Sequence, residues 1–178
     1  MKKFLLAILA ILVVAGGAFY VIKGQSNYDP TKYSLKITPE NKKFDVGSQI
    51  EFTLPDQFNK SHNLNSDTKK LLFAFTKDTG HILKSYMANK DKKFVDDKKL
   101  VLVADISGMP TVILNTFALP DFQKSKYPVI LIYDKNMAKK LKEGQDSSKI
   151  ILMTLDNKKV TKVEYAKDVK ELDKLLNK

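Results

Sequence analysis

The sequence predicts an α/β domain in three layers, a central mixed sheet with helices on both faces, preceded by an N-terminal transmembrane helix. Three patterns predict it. Residues 71–75 are an unbroken apolar run of strand length, which passes through the polar turn 76–80 into Ile82, Leu83, Tyr86 and Met87 at helical spacing. Residues 100–104 repeat the buried-strand pattern, so the two runs frame a strand-helix-strand unit with adjacent parallel strands and a right-handed crossover. Residues 150–155 and 160–165 flank Asp156-Asn157 as an antiparallel hairpin, with Thr161, Val163 and Tyr165 on one face. Val169, Leu172, Leu175 and Leu176 then share a helical face beyond Asp168.

From the N-terminus, Lys2 and Lys3 precede residues 4–22, a run without charge that Lys23 closes. At about 1.5 Å per residue a helix of this length approaches the roughly 30 Å hydrocarbon core, whereas the apolar region of a cleavable signal is about 7 to 15 residues long. An uncleaved signal anchor over 1–24 is the preferred reading, and a signal peptide cut after Gly16-Gly17-Ala18 is the alternative. The lysine pair stays cytoplasmic. In a bacterium, which the Met-Lys-Lys start suggests, residues 4–22 then cross the inner membrane and the domain lies in the periplasm.

Residues 25–45 read as linker and lead-in strand, with a turn at Asp29-Pro30, and 46–178 as the domain. Ile50, Phe52 and Leu54 share one strand face, and the turn 55–60 returns the chain to 61–64 as a hairpin. The charged stretch 89–99 reads as a solvated connection. In 105–120, Ser107 is expected to cap a helix with Pro110 in its first turn and Pro120 at its end. Residues 127–133 read as a third strand, 136–141 as a short helix and 144–148 as a loop.

The chain has no cysteine, which removes disulfides, thiol catalysis and thiolate metal sites from it. Its net charge is +11, and setting aside the three lysines of residues 1–24, which include no acid, leaves +8. Every positive side chain is lysine. Without arginine's planar fork, and beyond the membrane, a nucleic-acid partner is a poor explanation; a solvated lysine face near anionic headgroups is the simpler one.

The order hairpin, βαβαβ, hairpin, helix, with Val46-Gly47-x-x-Ile50-x-Phe52-x-Leu54-Pro55-Asp56-Gln57 ahead of the apolar run 71–75, resembles the peroxiredoxin-like branch of the thioredoxin-like superfamily over residues 46–176. The resemblance implies a thioredoxin-like fold with reactive positions at the start of the helix after 71–75. The two cysteine positions of a thioredoxin would fall on Asp78 and His81, and the peroxidatic position on Thr79. None is a cysteine, so the family's redox chemistry is not expected here. Gly108-Met109-Pro110-Thr111 looks like the family's cis-proline loop but follows the second strand, and Ser147-Ser148-Lys149, before the expected strand, holds no proline.

The carboxyl end of such a strand and the first turn of the next helix are the usual place for binding, so Asp78, Thr79, Gly80 and His81 are the candidate site. Two functions follow. One is a membrane-anchored, redox-inactive module that binds a protein or peptide there, with no cofactor and no metal. The other is a thiol-independent enzyme or metal-binding protein using Asp78 and His81. Asp78 as a helix cap beside a solvent-facing His81 is the simpler reading of the pair. A copper site from His62, His81, Met87 and Met109 lacks the dense soft-ligand cluster such sites need. Phe117, Phe122, Tyr127 and Tyr133 are expected mainly in the core rather than in an exposed patch.

Overall fold

The structure, a computed structural model, describes residues 16–40 and 43–178. Its centre is β4 (Lys70–Ala74), where Leu71, Leu72, Phe73 and Ala74 are all buried, so both faces of the strand must be covered. β4 lies parallel to β5 (Leu100–Asp105), with Phe73 opposite Val103, and β5 parallel to β6 (Val129–Ile132). On its other side β4 pairs antiparallel with β7 (Ile150–Asp156), which pairs with β8 (Lys159–Ala166). The strand-helix-strand unit and the late hairpin thus lie where the sequence expects them, in one mixed sheet.

Alternation divides the core. Leu72, Ala74, Leu100, Leu102 and Leu152 face α1 (Lys77–Met87), α2 (Lys92–Asp97) and α5 (Val169–Leu176), through Leu83, Val95 and Leu172. Leu71, Phe73, Val103, Ile132 and Ile151 face the other way, against Ala138 and Leu141 of α4 (Lys135–Lys142) and against the hairpin of β1 (Ser34–Thr38) and β2 (Gln49–Pro55). Helices therefore lie on both faces, and the second shares its cover with a hairpin. β2 touches β8 at Gln49 and, just past its end, β6 at Asp56, so it crosses that face from one edge of the sheet to the other. β3 (Ser61–Asn63) pairs back onto β2.

Several local expectations change. Residues 89–99 are not only a connection: Asp91 accepts from the Phe94 N–H to start α2, Lys92–Asp96 and Lys93–Asp97 pair along it, and Val95 enters the core. The surrounding charge hid the apolar contacts of Phe94, edge-on to Tyr86, and of Val95. Ser107 caps no helix, because its N–H and hydroxyl both donate to Asp105. The helical run α3 begins at Thr111–Ile113, passes through the π turn Leu114–Ala118 and continues over Leu119–Phe122, so Pro120 does not end it. The π turn has already shifted the hydrogen-bond register where proline's missing N–H would otherwise break it. On β8, Val160 and Ala166 are buried while Thr161 and Tyr165 are exposed, since a register shift between Thr154 and Leu155 breaks the alternation.

The linker is packed. Asp29 caps the 3-10 turn Pro30–Lys32, and Tyr28 stacks on both Tyr33 and Tyr133. Residues 16–23 are helical with exposed apolar side chains, and no helix among the described residues is long and apolar enough to cross a membrane. Most of the expected span 4–22 lies outside the described residues.

The cap of α1 is Thr76 rather than Asp78. Its Oγ1 accepts from the Thr79 N–H at 3.2 Å, and Thr79 Oγ1 accepts in return from the Thr76 N–H at 2.9 Å. Replacing Thr76 by Ala should cost about 0.5–2 kcal/mol in urea unfolding. Asp78→Ala should cost less, and an equal or larger loss from Asp78→Ala would contradict the assignment.

Candidate functional site

At the carboxyl ends of β4 and β5 the chain opens a cleft of about 790 Å³. Phe75, Thr76 and Lys77 form one wall where β4 turns into α1; Ser107, Gly108 and Met109 form the floor after β5. The third wall is α4, which Asp134 starts by accepting from the Asn136 and Met137 N–H groups. Its lysines at 135, 139 and 142 recur at spacings of four and three, so one flank of the helix turns them toward the cleft.

One charge in the cleft is already satisfied. Asp105, with a side chain only 4% exposed, accepts from Lys142 Nζ at 2.8 Å through one oxygen and from Ser107 through the other. Lys142 Nζ also lies 5.8 Å from the centre of the Phe75 ring. That network fixes the floor to α4. Lys77, Lys135 and Lys139 remain, and among the described residues none has a carboxylate within ion-pair distance. Glu143 is the one other acid in the lining, so the open part of the cleft is positive.

The four residues singled out from the sequence follow Lys77 on α1, and none lines the cleft. Asp78 and His81 are exposed and share no hydrogen bond among the described residues. Thr79 is fully buried, and its hydroxyl donates to the Thr76 carbonyl at 3.0 Å. The Gly80 N–H bonds the same carbonyl at 2.9 Å. The stretch thus acts as the start of α1, and its neighbours Thr76 and Lys77 are the ones that reach the cleft. Met87 is buried at the end of α1 and Met109 lies in the cleft floor; no group of three potential metal-ligating His, Asp or Glu side chains occurs among the described residues. Phe122, Tyr127 and Tyr133 pack on the core, whereas Phe117 is exposed.

No protein-family model matches the chain, and no curated protein does. Solved structures do. The chain is similar to a putative protein disulfide isomerase from Bacteroides thetaiotaomicron, at 18% identity over 81% of this chain and 90% of that one, with a TM-score of 0.51. It is similar to the C-terminal domain of a putative thiol-disulfide oxidoreductase from the same organism, at 16% identity over 75% and 94% of the two chains, also at 0.51. A peroxidoxin from Mycobacterium tuberculosis aligns at 18% identity over 75% and 95%, with a TM-score of 0.49. The first two show a thioredoxin-like fold, the one the resemblance implied, on a chain without cysteine.

The Leu54-Pro55-Asp56-Gln57 segment that carried the resemblance has a structural explanation. Gln57 is buried, accepts from the Val129 N–H at 2.8 Å and donates to the Tyr127 carbonyl at 2.9 Å, so it stitches the β2–β3 turn to β6. Asp56 accepts from the Phe58 and Lys60 N–H groups and lies 2.8 Å from the His62 ring. Sequence reasoning placed the hairpin but missed this pair, because the Leu54–His62 register that brings the two together depends on how the turn closes.

Burial pushes the Asp56 carboxyl up, but hydrogen bonds from His62 and from the Lys60 and Phe58 N–H groups outweigh it and hold the group below the ordinary carboxylate range. A lowered folded pKa gives stability that is present above the unfolded value, about 4, and is lost as pH falls through the folded one. Asp56→Asn should therefore cost about 1–3 kcal/mol near neutral pH, with the gap to the parent narrowing in acid. Urea unfolding across that range tests it, and a gap independent of pH would contradict it.

Proposed function

We propose that the chain is a membrane-anchored, redox-inactive thioredoxin-like domain, held in the periplasm by residues 4–22, that binds an acidic peptide segment of a partner protein in the lysine-lined cleft. The cleft is the observation that supports this most. It lies at the carboxyl ends of two parallel strands, beside the four residues expected to bind, with apolar surface from Phe75 and Met109 and free cations from Lys77, Lys135 and Lys139. An extended segment carrying both apolar and carboxylate side chains matches both features, and attraction between charges strengthens where the walls exclude part of the water.

Thiol-disulfide exchange needs a thiolate that attacks and one that leaves, and the chain supplies neither. The thiol-independent reading through Asp78 and His81 finds no hydrogen-bonded acid-base pair in support. Binding needs no group that the cleft lacks.

The full chain in detergent micelles, titrated with a labelled peptide of alternating Glu and Leu, should bind it more tightly than a Lys-Leu counterpart, with affinity falling as salt rises. At about 1 kcal/mol for each reversed charge, Lys135→Glu with Lys139→Glu should weaken binding roughly thirtyfold. Equal affinity for both peptides, or no change in the double variant, would overturn the proposal.

A further inference from the structure

Residues 16–23 join the domain at a defined place. Asn115 Nδ2 in α3 donates to the carbonyls of Lys23, at 2.8 Å, and Gln25, at 2.7 Å. Two residues further on, the Asn27 carbonyl accepts from Asn59 Nδ2 in the β2–β3 turn at 3.4 Å. The chain that leaves the apolar helix is thus clamped between α3 and that turn.

Exposed apolar surface gathers at the same place. Beyond residue 23, the large apolar side chains that stand exposed among the described residues are Val46, Phe58, Ile113, Phe117, Tyr165 and Val169. Half of them sit on the two clamping segments: Phe58, 60% exposed, next to Asn59, and Ile113 and Phe117, 45% and 65% exposed, on either side of Asn115. Ile113 and Phe117 are four residues apart and share one flank of α3, while Leu114 and Ala118 turn the adjacent flank to the core. The exposure is therefore not a side effect of packing: the helix buries one apolar stripe and presents a second. Exposed lysines at 60 and 126 stand on or beside the same segments.

We propose that Phe58, Ile113 and Phe117 rest on the surface of the lipid bilayer that receives residues 4–22, so that the domain is docked on the membrane instead of moving freely on a linker. This rests on the anchor reading of residues 4–22. The bilayer is the occupant because the uncharged run ends at Lys23, and Lys23 is hydrogen-bonded to Asn115. A helix with its side chains is about 10–12 Å across, so Ile113 and Phe117 cannot lie far from the level at which the run leaves the hydrocarbon. Aromatic and aliphatic side chains at that level enter the boundary between headgroups and acyl chains, and the lysines beside them are drawn to anionic lipid.

The absence of cysteine makes the test direct, since each single-cysteine variant reacts at one position. Full-length Phe117→Cys, Phe58→Cys and Lys158→Cys would each be labelled with an environment-sensitive fluorophore and reconstituted into vesicles of phosphatidylethanolamine and phosphatidylglycerol. Some of the lipid would carry a spin label near the headgroup. Lys158 is the control because its carbonyl pairs with Ile50 at the far end of β2 from Phe58, roughly 20 Å away at about 3.3 Å per residue. Labels at 117 and 58 should shift to shorter wavelength and lose most of their emission to the spin-labelled lipid, and the label at 158 should do neither. If the chain floats with the vesicles while all three labels behave like the one at 158, the docked face is overturned and the anchor stands. If the chain does not float, the anchor and the docked face fall together.

Discussion

Burial of β4 on both faces is the constraint from which the rest of the domain follows. Each residue from Leu71 to Ala74 is removed from water, and removing apolar surface from water is worth roughly 25 cal/mol per Å². The chain must therefore supply two covers. α1, α2 and α5 form one. The β1–β2 hairpin and α4 form the other, with Phe73 stacked on Phe75 and edge-on to Phe44 at their junction. Because α4 covers the second face through Ala138 and Leu141, its adjacent flank is left to project Lys135 and Lys139 over the end of the sheet. The electrostatics of the cleft are a consequence of how the core is closed.

Without thiols, the same location offers different physics. A thioredoxin-like scaffold presents the first turn of a helix at the end of a buried strand, and here that turn is used for stability: Thr76 and Thr79 cap each other and Thr79 is sealed from solvent. What remains open to a ligand is displaced toward Lys77, the loop Ser107–Met109 and α4. Asp105 neutralises Lys142 and pins the floor, leaving the outer lysines as the groups a carboxylate would meet.

Where the signal was apolar periodicity, the sequence was readable. β4, β5, β7 and α1 announce themselves because each buries a continuous run or a regular stripe, and a one-residue slip would turn that stripe to water. α2 was missed because its capping aspartate and paired lysines look like a solvated loop until Val95 finds a neighbour. Pro120 misled for a different reason, since its effect depends on the π turn before it. The candidate site was half legible. The location came from the strand-to-helix junction, but the lysines of α4 are more than fifty residues away in sequence, and nothing local says which flank of a short helix will face a cleft. The Asp56–His62 pair was hidden in the same way by strand register.

The central claim is that the cleft, and not the exposed Asp78 and His81, receives the ligand. Backbone amide shifts of the isotope-labelled full chain in micelles, followed as an acidic-apolar peptide is added, test it most directly. The account predicts that the largest changes fall on Thr76, Lys77, Ser107 to Met109, the residues of α4 and Glu143 just beyond it. Changes centred on Asp78 and His81 with α4 silent, or spread evenly over the lysines of the surface, would contradict it.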